Sequence, residues 1–186
     1  MESHLPAVLI LIDDGFDDLE LMYPKLRLTE AGYHVFVAGA QRGKTYHGNY
    51  GYPCTADESI FSIHERHYAG VICPGGRAAE RLRCEGKVKS LVHDFHQARK
   101  LVATICTGAW VAISAGILPG VRATGSPIVL DDLANAGAIV EPDAGVVIEG
   151  NIVTAAGTPD LPIFMKSVLQ VLAAQQANAK ASSTSA

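Results

Sequence analysis

The sequence predicts an α/β protein with a mostly parallel central sheet covered by helices. Two observations carry this prediction. Short, continuous apolar runs, typical of strands buried on both faces, recur at residues 7–12, 70–73 and 101–105. Helical patterns separate these runs, and strands that alternate with helices pair in parallel. Ligands of such sheets bind beyond the carboxyl ends of the strands.

The first part of the chain is predicted to form two strands with a helix between them. Residues 7–12 form the first strand, and a helical pattern with an acidic start runs to about residue 31. Acidic side chains at a helix start complement the helix dipole, and Gly32 ends the helix. Residues 35–38 are predicted as the second strand. Residues 41–57, rich in Gly, Tyr and Asn, are predicted as a hairpin or an excursion.

The remainder of the chain is predicted to repeat the alternation. In chain order we predict a strand over 70–73, a helix over 88–99, a strand over 101–105, a helix over 108–115, a helix near 130–136 between short strands, and a closing helix over 161–175. We expect one domain over residues 1–176, because no linker or internal repeat divides the chain. The small and polar residues 177–186 are expected to form a disordered tail.

The composition excludes several classes of function. The 186 residues carry a net charge of −4, which offers no basic surface to nucleic acid or to an anionic membrane. No apolar run is long enough to span a bilayer, and we expect a cytoplasmic protein. The cysteines at positions 54, 73, 84 and 106 show no metal-type spacing. We therefore expect free thiols, and neither a metal nor a cofactor.

Cys106 is the strongest candidate for a catalytic residue. It lies between the buried strand 101–105 and a helix, and Gly108 follows two residues later. This is the pattern of a nucleophile elbow, in which a sharp turn exposes the reactive side chain. A helix N-terminus after the turn can lower the pKa of a thiol, so we predict a thiolate at Cys106. A structural cysteine at a turn is the alternative.

Gly75 and Gly76 follow the strand 70–73 and are candidates for binding a substrate oxygen. Two glycines in a turn allow backbone N–H groups to point at such an atom. Together with the N–H of Thr107 they would form an oxyanion hole. An ordinary turn is the alternative.

Glu20 is the candidate acid. It lies in the first turns of the first helix, beyond the carboxyl end of the first strand. A carboxyl group that desolvation keeps protonated could donate a hydrogen bond to the thiolate. Asp17 and Asp18 compete with Glu20 for this role, and a solvated acidic helix start is the alternative.

Five blocks of sequence resemble the ThiJ/PfpI family, and they cover nearly the whole chain, from about residue 6 to residue 172. The blocks read GFDDLELMYP at 15–24, CPGGRAAE at 73–80, ICTG at 105–108, DDLANAGA at 131–138 and TPDL at 158–161. The resemblance implies the flavodoxin-like three-layer sandwich of the class I glutamine-amidotransferase superfamily.

The resemblance also implies roles for individual residues. It makes Cys106 the reactive thiol and Glu20 the carboxyl group paired with it. It makes Gly76 and Thr107 the oxyanion donors. Glu80 falls where PfpI-type peptidases place an acid that orients a histidine across a subunit contact. The family forms dimers or hexamers, so we expect a homo-oligomer, at least a homodimer.

Two positions depart from the family pattern. PfpI-type peptidases carry a histidine directly after the nucleophile, where this chain has Thr107. The DJ-one branch carries its histidine in a later His-Pro pair, where this chain has Ser126 and Pro127. Peptide hydrolysis needs a proton donor for the leaving amine, so peptidase activity is not expected. Isonitrile hydratases of the superfamily also read Cys-Thr-Gly at the elbow, with Asp at the position of Glu20.

The resemblance to the hydratases implies a cysteine-dependent hydratase, hydrolase or lyase that acts on a small electrophile through a covalent thio-adduct. In this scheme Glu20 and Thr107 transfer protons. A redox-stress or chaperone-like protein with an oxidation-sensitive Cys106 is one alternative. A glyoxalase, a deglycase or a PfpI-type peptidase is another, although the missing histidine counts against it. His47 is a candidate substitute base, and Tyr23 a candidate pocket residue.

Overall fold

The computed structural model describes residues 6–184 and contains a seven-stranded central sheet. In chain order the strands are β1 (Ala7–Leu11), β2 (His34–Gly39), β3 (Thr45–His47), β4 (Pro53–Thr55), β5 (Glu58–Ser59), β6 (Gly70–Cys73), β7 (Leu101–Ile105), β8 (Arg122–Ala123), β9 (Ile139–Val140), β10 (Val146–Glu149) and β11 (Ile152–Ala155). The central sheet has the order β10-β11-β7-β6-β1-β2-β5. Its strand pairs are parallel except β10 with β11. The prediction of a mostly parallel sheet is therefore confirmed.

The helices pack around this sheet in two groups. They are α1 (Asp18–Glu30), α2 (Ala78–Leu82), α3 (Gly86–Gln97), α4 (Ala109–Ser114), α5 (Leu130–Asn135) and α6 (Leu161–Thr184). Helices α1 and α6 pack against each other, whereas α4 packs against α2, α3 and α5. This arrangement confirms the predicted α/β sandwich.

The central strands are apolar because helices cover both of their faces. Every residue of β6 and β7 is buried, and so are four of the five residues of β1. A strand buried on both faces needs no polar alternation, which explains the continuous apolar runs. The sequence predicts the bounds of β6 and β7 correctly for this reason.

The last helix is longer than the sequence predicts. Helix α6 runs from Leu161 to Thr184, so residues 177–184, predicted to be a disordered tail, are helical. These residues include several alanines, which have the highest helix propensity, and they extend a helix that tertiary packing has already nucleated. Residues 185–186 of the predicted tail lie outside the described residues. The single domain over 1–176 stays a prediction.

The topology gathers four turns at one edge of the sheet. Strands β11, β7, β6 and β1 are consecutive in the sheet and run parallel, so their carboxyl ends meet at that edge. Among residues 6–184, no helix combines the length and the apolar character that crossing a bilayer requires.

Candidate active site

The turn at Cys106 has strained backbone geometry. Cys106 has a φ of 57°, in the left-handed region, which costs an L-residue about 1–2 kcal/mol. It begins a 3₁₀ turn that ends at Gly108 and leads directly into α4. A Cβ on Gly108 would lie 2.1 Å from the carbonyl oxygen of Cys73, so only glycine permits this close approach. The half-buried thiol thus lies on a sharp strand-to-helix turn, as the sequence predicts.

Glu20 is held in a fixed position beneath this turn. Its side chain is buried, with only 1% of the residue exposed. Oε2 accepts a hydrogen bond of 2.8 Å from the N–H of Gly75, and Oε1 accepts one of 3.3 Å from the hydroxyl of Thr158. Asp17 caps α1 by accepting from the N–H groups of Leu19 and Glu20, which places Glu20 in the first turn.

Gly75 marks the point where the acid and the nucleophile meet. A Cβ on this glycine would lie 2.6 Å from Oε2 of Glu20, and 2.9 Å from both Cβ of Cys106 and Oγ1 of Thr107. Cys106 affects the pKa of Glu20 and Glu20 affects that of Cys106, so the thiol and the carboxyl group are close neighbours. Of the three acids that the sequence offers, Glu20 is therefore the partner of the thiol.

The environment of Glu20 favours its protonated form. Burial, together with the smaller effect of the negative charge of Asp17, raises the pKa of Glu20 from 4.5 to about 7. The hydrogen bonds from Gly75, Thr158 and Cys106 act in the opposite direction. A carboxyl group with such a pKa can both donate and accept a proton near neutrality.

The prediction of a lowered thiol pKa at Cys106 is wrong. Burial raises the pKa of the Cys106 thiol, and the negative charge of Glu20 raises it further. The N–H of Thr107 and the hydroxyl of Ser126 stabilise the thiolate but do not outweigh these effects. Since two adjacent negative charges are costly, ionisation of either group opposes ionisation of the other.

The polar groups of the turn that contains Gly75 and Gly76 have hydrogen-bond partners that differ from the predicted ones. The N–H of Gly75 is bound to Glu20, so it cannot serve as an oxyanion donor. The hydroxyl of Thr107 donates to the carbonyl oxygen of Gly76 at 3.0 Å. It therefore fastens the turn to the elbow and does not face a substrate. The N–H groups of Gly76 and Thr107 remain as candidate oxyanion donors.

Ser126 and Thr158 complete the surroundings of the pair. The hydroxyl of Ser126 is near enough to Cys106 to lower the pKa of its thiol, and Ser126 stands at the position where the DJ-one branch carries a histidine. Thr158 was not identified as a site residue from the sequence. It follows the carboxyl end of β11, the same edge as the other turns, and that position was the available signal.

Asp18 anchors the hairpin β3–β4 to the start of α1. Its carboxylate accepts hydrogen bonds of 3.0 Å and 2.9 Å from the N–H groups of Tyr50 and Tyr52. The hairpin predicted within residues 41–57 is therefore confirmed, and its tip lies beside α1. The ring of Tyr46 is buried, whereas Tyr50 is 87% exposed.

Three of the predicted supporting residues do not join the site. Glu80 is exposed on α2. His47 is exposed on β3, where its N–H donates to Asp14 at 2.9 Å. Tyr23 is half-buried on α1 and packs against the core. In residues 6–184, no hydrogen bond links these side chains to Cys106 or Glu20.

Comparisons with known proteins identify the family of this chain. The family model described as the DJ-1/PfpI family matches residues 6–171. "Deglycase TK1284" of Thermococcus kodakarensis is 39% identical over 165 residues, covering 89% of this chain and 98% of that protein. "Putative cysteine protease YraA" of Bacillus subtilis is 32% identical over 165 residues, covering 89% of this chain and 97% of that protein. A solved structure of a two-domain protein from Anabaena variabilis has DJ-1/ThiJ/PfpI-like and ferritin-like domains. It matches this chain with a TM-score of 0.88 and 32% sequence identity. The match covers 90% of this chain and 48% of that longer chain. The chain belongs to the DJ-1/PfpI family.

Proposed function

We propose that this protein is a cysteine-dependent hydrolase of the deglycase type that acts on a small carbonyl compound through a covalent thio-adduct. The single observation that carries the proposal is the contact between Cys106 and the buried Glu20, whose pKa burial raises to about 7. The relative named as a deglycase, 39% identical, supports an enzyme of this general type.

The paired groups can carry out the addition without a histidine. In the state with the proton on Glu20, the thiolate of Cys106 attacks the carbonyl carbon and forms a C–S bond. The π electrons of the carbonyl group move to its oxygen, which takes the proton from Glu20. The product is a neutral hemithioacetal beside an ionised Glu20. That carboxylate can then accept a proton in the next step, from the adduct or from water.

The oxyanion that forms during the addition needs hydrogen-bond donors. The N–H groups of Gly76 and Thr107 are the candidates, and Ser126 adds a hydroxyl near the sulfur. A single oxyanion donor contributes about 2.7–4 kcal/mol to catalysis. These groups would stabilise the charge until Glu20 delivers its proton.

The position of Thr107 favours a carbonyl substrate over an isonitrile. The hydratase scheme gives the threonine hydroxyl a role in proton transfer, but in this chain that hydroxyl already donates to Gly76 at 3.0 Å. Carbonyl addition requires only the Cys106 and Glu20 pair. The redox alternative depends on the same thiolate of Cys106, and it predicts selective peroxide oxidation of this residue without turnover of any substrate.

Depletion of methylglyoxal, followed by NMR, tests the proposal. We expect the wild-type protein to consume the compound and Cys106→Ala to be inactive. Glu20→Gln should lose about 100-fold or more in rate, the usual contribution of a positioned acid. Cys84→Ala is the matched control, since Cys84 is an exposed thiol outside the site, and it should retain full activity. Undiminished turnover by Cys106→Ala would overturn the mechanism.

We also propose that the protein forms a homo-oligomer. The support is the exposure of Glu80 on α2, at the position where the family resemblance implies a subunit contact. Light scattering coupled to size-exclusion chromatography tests this proposal. A dimer or a hexamer is expected, and a monomer at micromolar concentration would contradict it.

A further inference from the structure

The charges that act on the Cys106 thiol are all negative. Within residues 6–184 they belong to Glu20, which has the larger effect on the pKa of the thiol, and to Asp17, which has the smaller one. Asp17 is tied to the same turn as the reactive pair, because its N–H donates to the carbonyl oxygen of Gly75 at 3.1 Å. Its carboxylate lies 3.1 Å from the N–H of Glu20. The negative charge is therefore part of the site's fixed geometry.

The cationic side chains near this edge of the sheet are directed at other partners. Nε of Arg81 lies 3.3 Å from Asp13. Nζ of Lys44 lies 3.6 Å from Asp14. Nε of Arg77 donates to the side chain of Asn49 at 3.4 Å, on the hairpin side of the turn. In the described part of the chain, these cations are thus bound to other groups, and the electric field at the sulfur of Cys106 comes mainly from carboxylates.

We propose that Asp17 is a specificity-determining residue, whose charge selects neutral or cationic carbonyl substrates over anionic ones. An electrophile with a carboxylate would bring a third negative charge against Asp17 and Glu20, and like charges in a partly buried site repel strongly. A neutral aldehyde or a carbonyl adduct of a guanidinium or ammonium group would not be repelled. This substrate preference rests on the proposed function, but the charge effect on Cys106 can be measured without turnover.

Two alkylating reagents that differ mainly in charge provide the probe. Iodoacetamide is neutral and iodoacetate is anionic, and both attack a thiolate by the same displacement of iodide. Mass spectrometry of the Cys106 and Cys84 peptides gives both rates in one sample. The exposed Cys84 is the internal reference for the intrinsic difference between the reagents.

The variant Asp17→Asn removes the charge while retaining the helix cap, because an asparagine oxygen caps as well as an aspartate oxygen. Glu30→Gln is the matched control. It makes the same change in net charge at the opposite end of α1, on an exposed residue. Both variants are compared in the full chain at one pH.

We expect the ratio of the iodoacetamide rate to the iodoacetate rate to be higher at Cys106 than at Cys84. Asp17→Asn should lower the Cys106 ratio by about fivefold, the effect of one nearby charge that water screens, and Glu30→Gln should leave it unchanged. Equal ratios at the two cysteines, or a ratio that Asp17→Asn leaves unaltered, would overturn the proposal.

The rates of turnover of methylglyoxal, which is neutral, and of glyoxylate, which is anionic, then test the same selection on substrates. Preference for methylglyoxal that weakens in Asp17→Asn supports the inference, and preference for glyoxylate overturns it. If neither compound is consumed while the alkylation ratio still depends on Asp17, the proposed function fails but the charge effect stands.

Discussion

The N–H of Gly75 donates a hydrogen bond of 2.8 Å to Oε2 of Glu20, a residue 55 positions earlier in the chain. This contact joins the turn after β6 to the first turn of α1 and fixes the carboxyl group beside Cys106. The same N–H would otherwise be available to a substrate oxygen. The N–H of Gly75 thus holds Glu20 in place and is not available to an oxyanion. In the same turn, the N–H of Gly76 is the candidate oxyanion donor.

Gly75→Ala should disrupt the site. The added methyl group would lie within 3 Å of Glu20, Cys106 and Thr107, and relieving such overpacking costs about 1–3 kcal/mol. We expect a loss of that size in the free energy of unfolding, and a slower reaction of Cys106 with iodoacetamide. Gly86→Ala is the control, since a Cβ at Gly86 has no neighbour within 4 Å. Equal effects of the two substitutions would contradict the packing argument.

Glu20→Gln should change how stability depends on pH. Folding raises the pKa of Glu20 from 4.5 to about 7, so the folded protein holds this proton more tightly than the unfolded chain. The resulting stability is fully present below pH 4.5 and is lost as the pH rises through about 7. Over this range the wild type should lose about 3 kcal/mol relative to Glu20→Gln. Urea unfolding across the range measures the difference, and a constant difference would refute the raised pKa.

Cys106→Gly should be more stable than Cys106→Ala. Both variants lack the thiol, but only glycine adopts a φ of 57° without strain. We expect glycine to be favoured by about 1 kcal/mol in denaturant unfolding. Cys84→Gly and Cys84→Ala give the matched comparison. Cys84 is not among the positive-φ residues, so alanine should be the more stable residue there. The same order at both positions would argue against strain at Cys106.

Thr158→Val should raise the pKa of Glu20 further. The substitution removes the hydroxyl that donates to Oε1 and that lowers the pKa of Glu20. One weak hydrogen bond to the carboxylate corresponds to a shift of roughly half to one pKa unit. The pH profile of Cys106 alkylation should move upward by that amount. Thr158→Ser retains the hydroxyl and should retain the wild-type profile. A shift of equal size in both variants would assign Thr158 a packing role.

The fold could be predicted from the sequence where burial dictates the residue types. Strands β6 and β7 need apolar side chains on both faces, and their bounds were predicted correctly. The two-residue strands β5, β8 and β9 have no such signature, because their pairing depends on neighbours distant in the chain. The end of α6 has no apolar stripe, so its helicity could not be distinguished from disorder.

The sequence allowed us to predict which residues meet at the site, but not which hydrogen bonds they form or how their pKa values change. Strand ends that share one edge identified Glu20, Gly75 and Cys106. The hydrogen bond from Gly75 to Glu20 depends on which way one peptide plane faces, and no residue type specifies that. The direction of the Cys106 pKa depends on how deeply the elbow is buried, which is a property of the assembled fold. Thr158 was missed because a threonine after a strand is common.

The hydrogen bond between Thr158 and Glu20 spans 138 positions of the chain, and it has a consequence for biosynthesis. A growing polypeptide presents its acid first, its thiol midway and the supporting hydroxyl near the end. An incomplete product therefore carries an ordinary cysteine and an ordinary glutamate. The hydrogen bonds that hold Glu20 in place are therefore complete only after the turn that follows β11 has been synthesised.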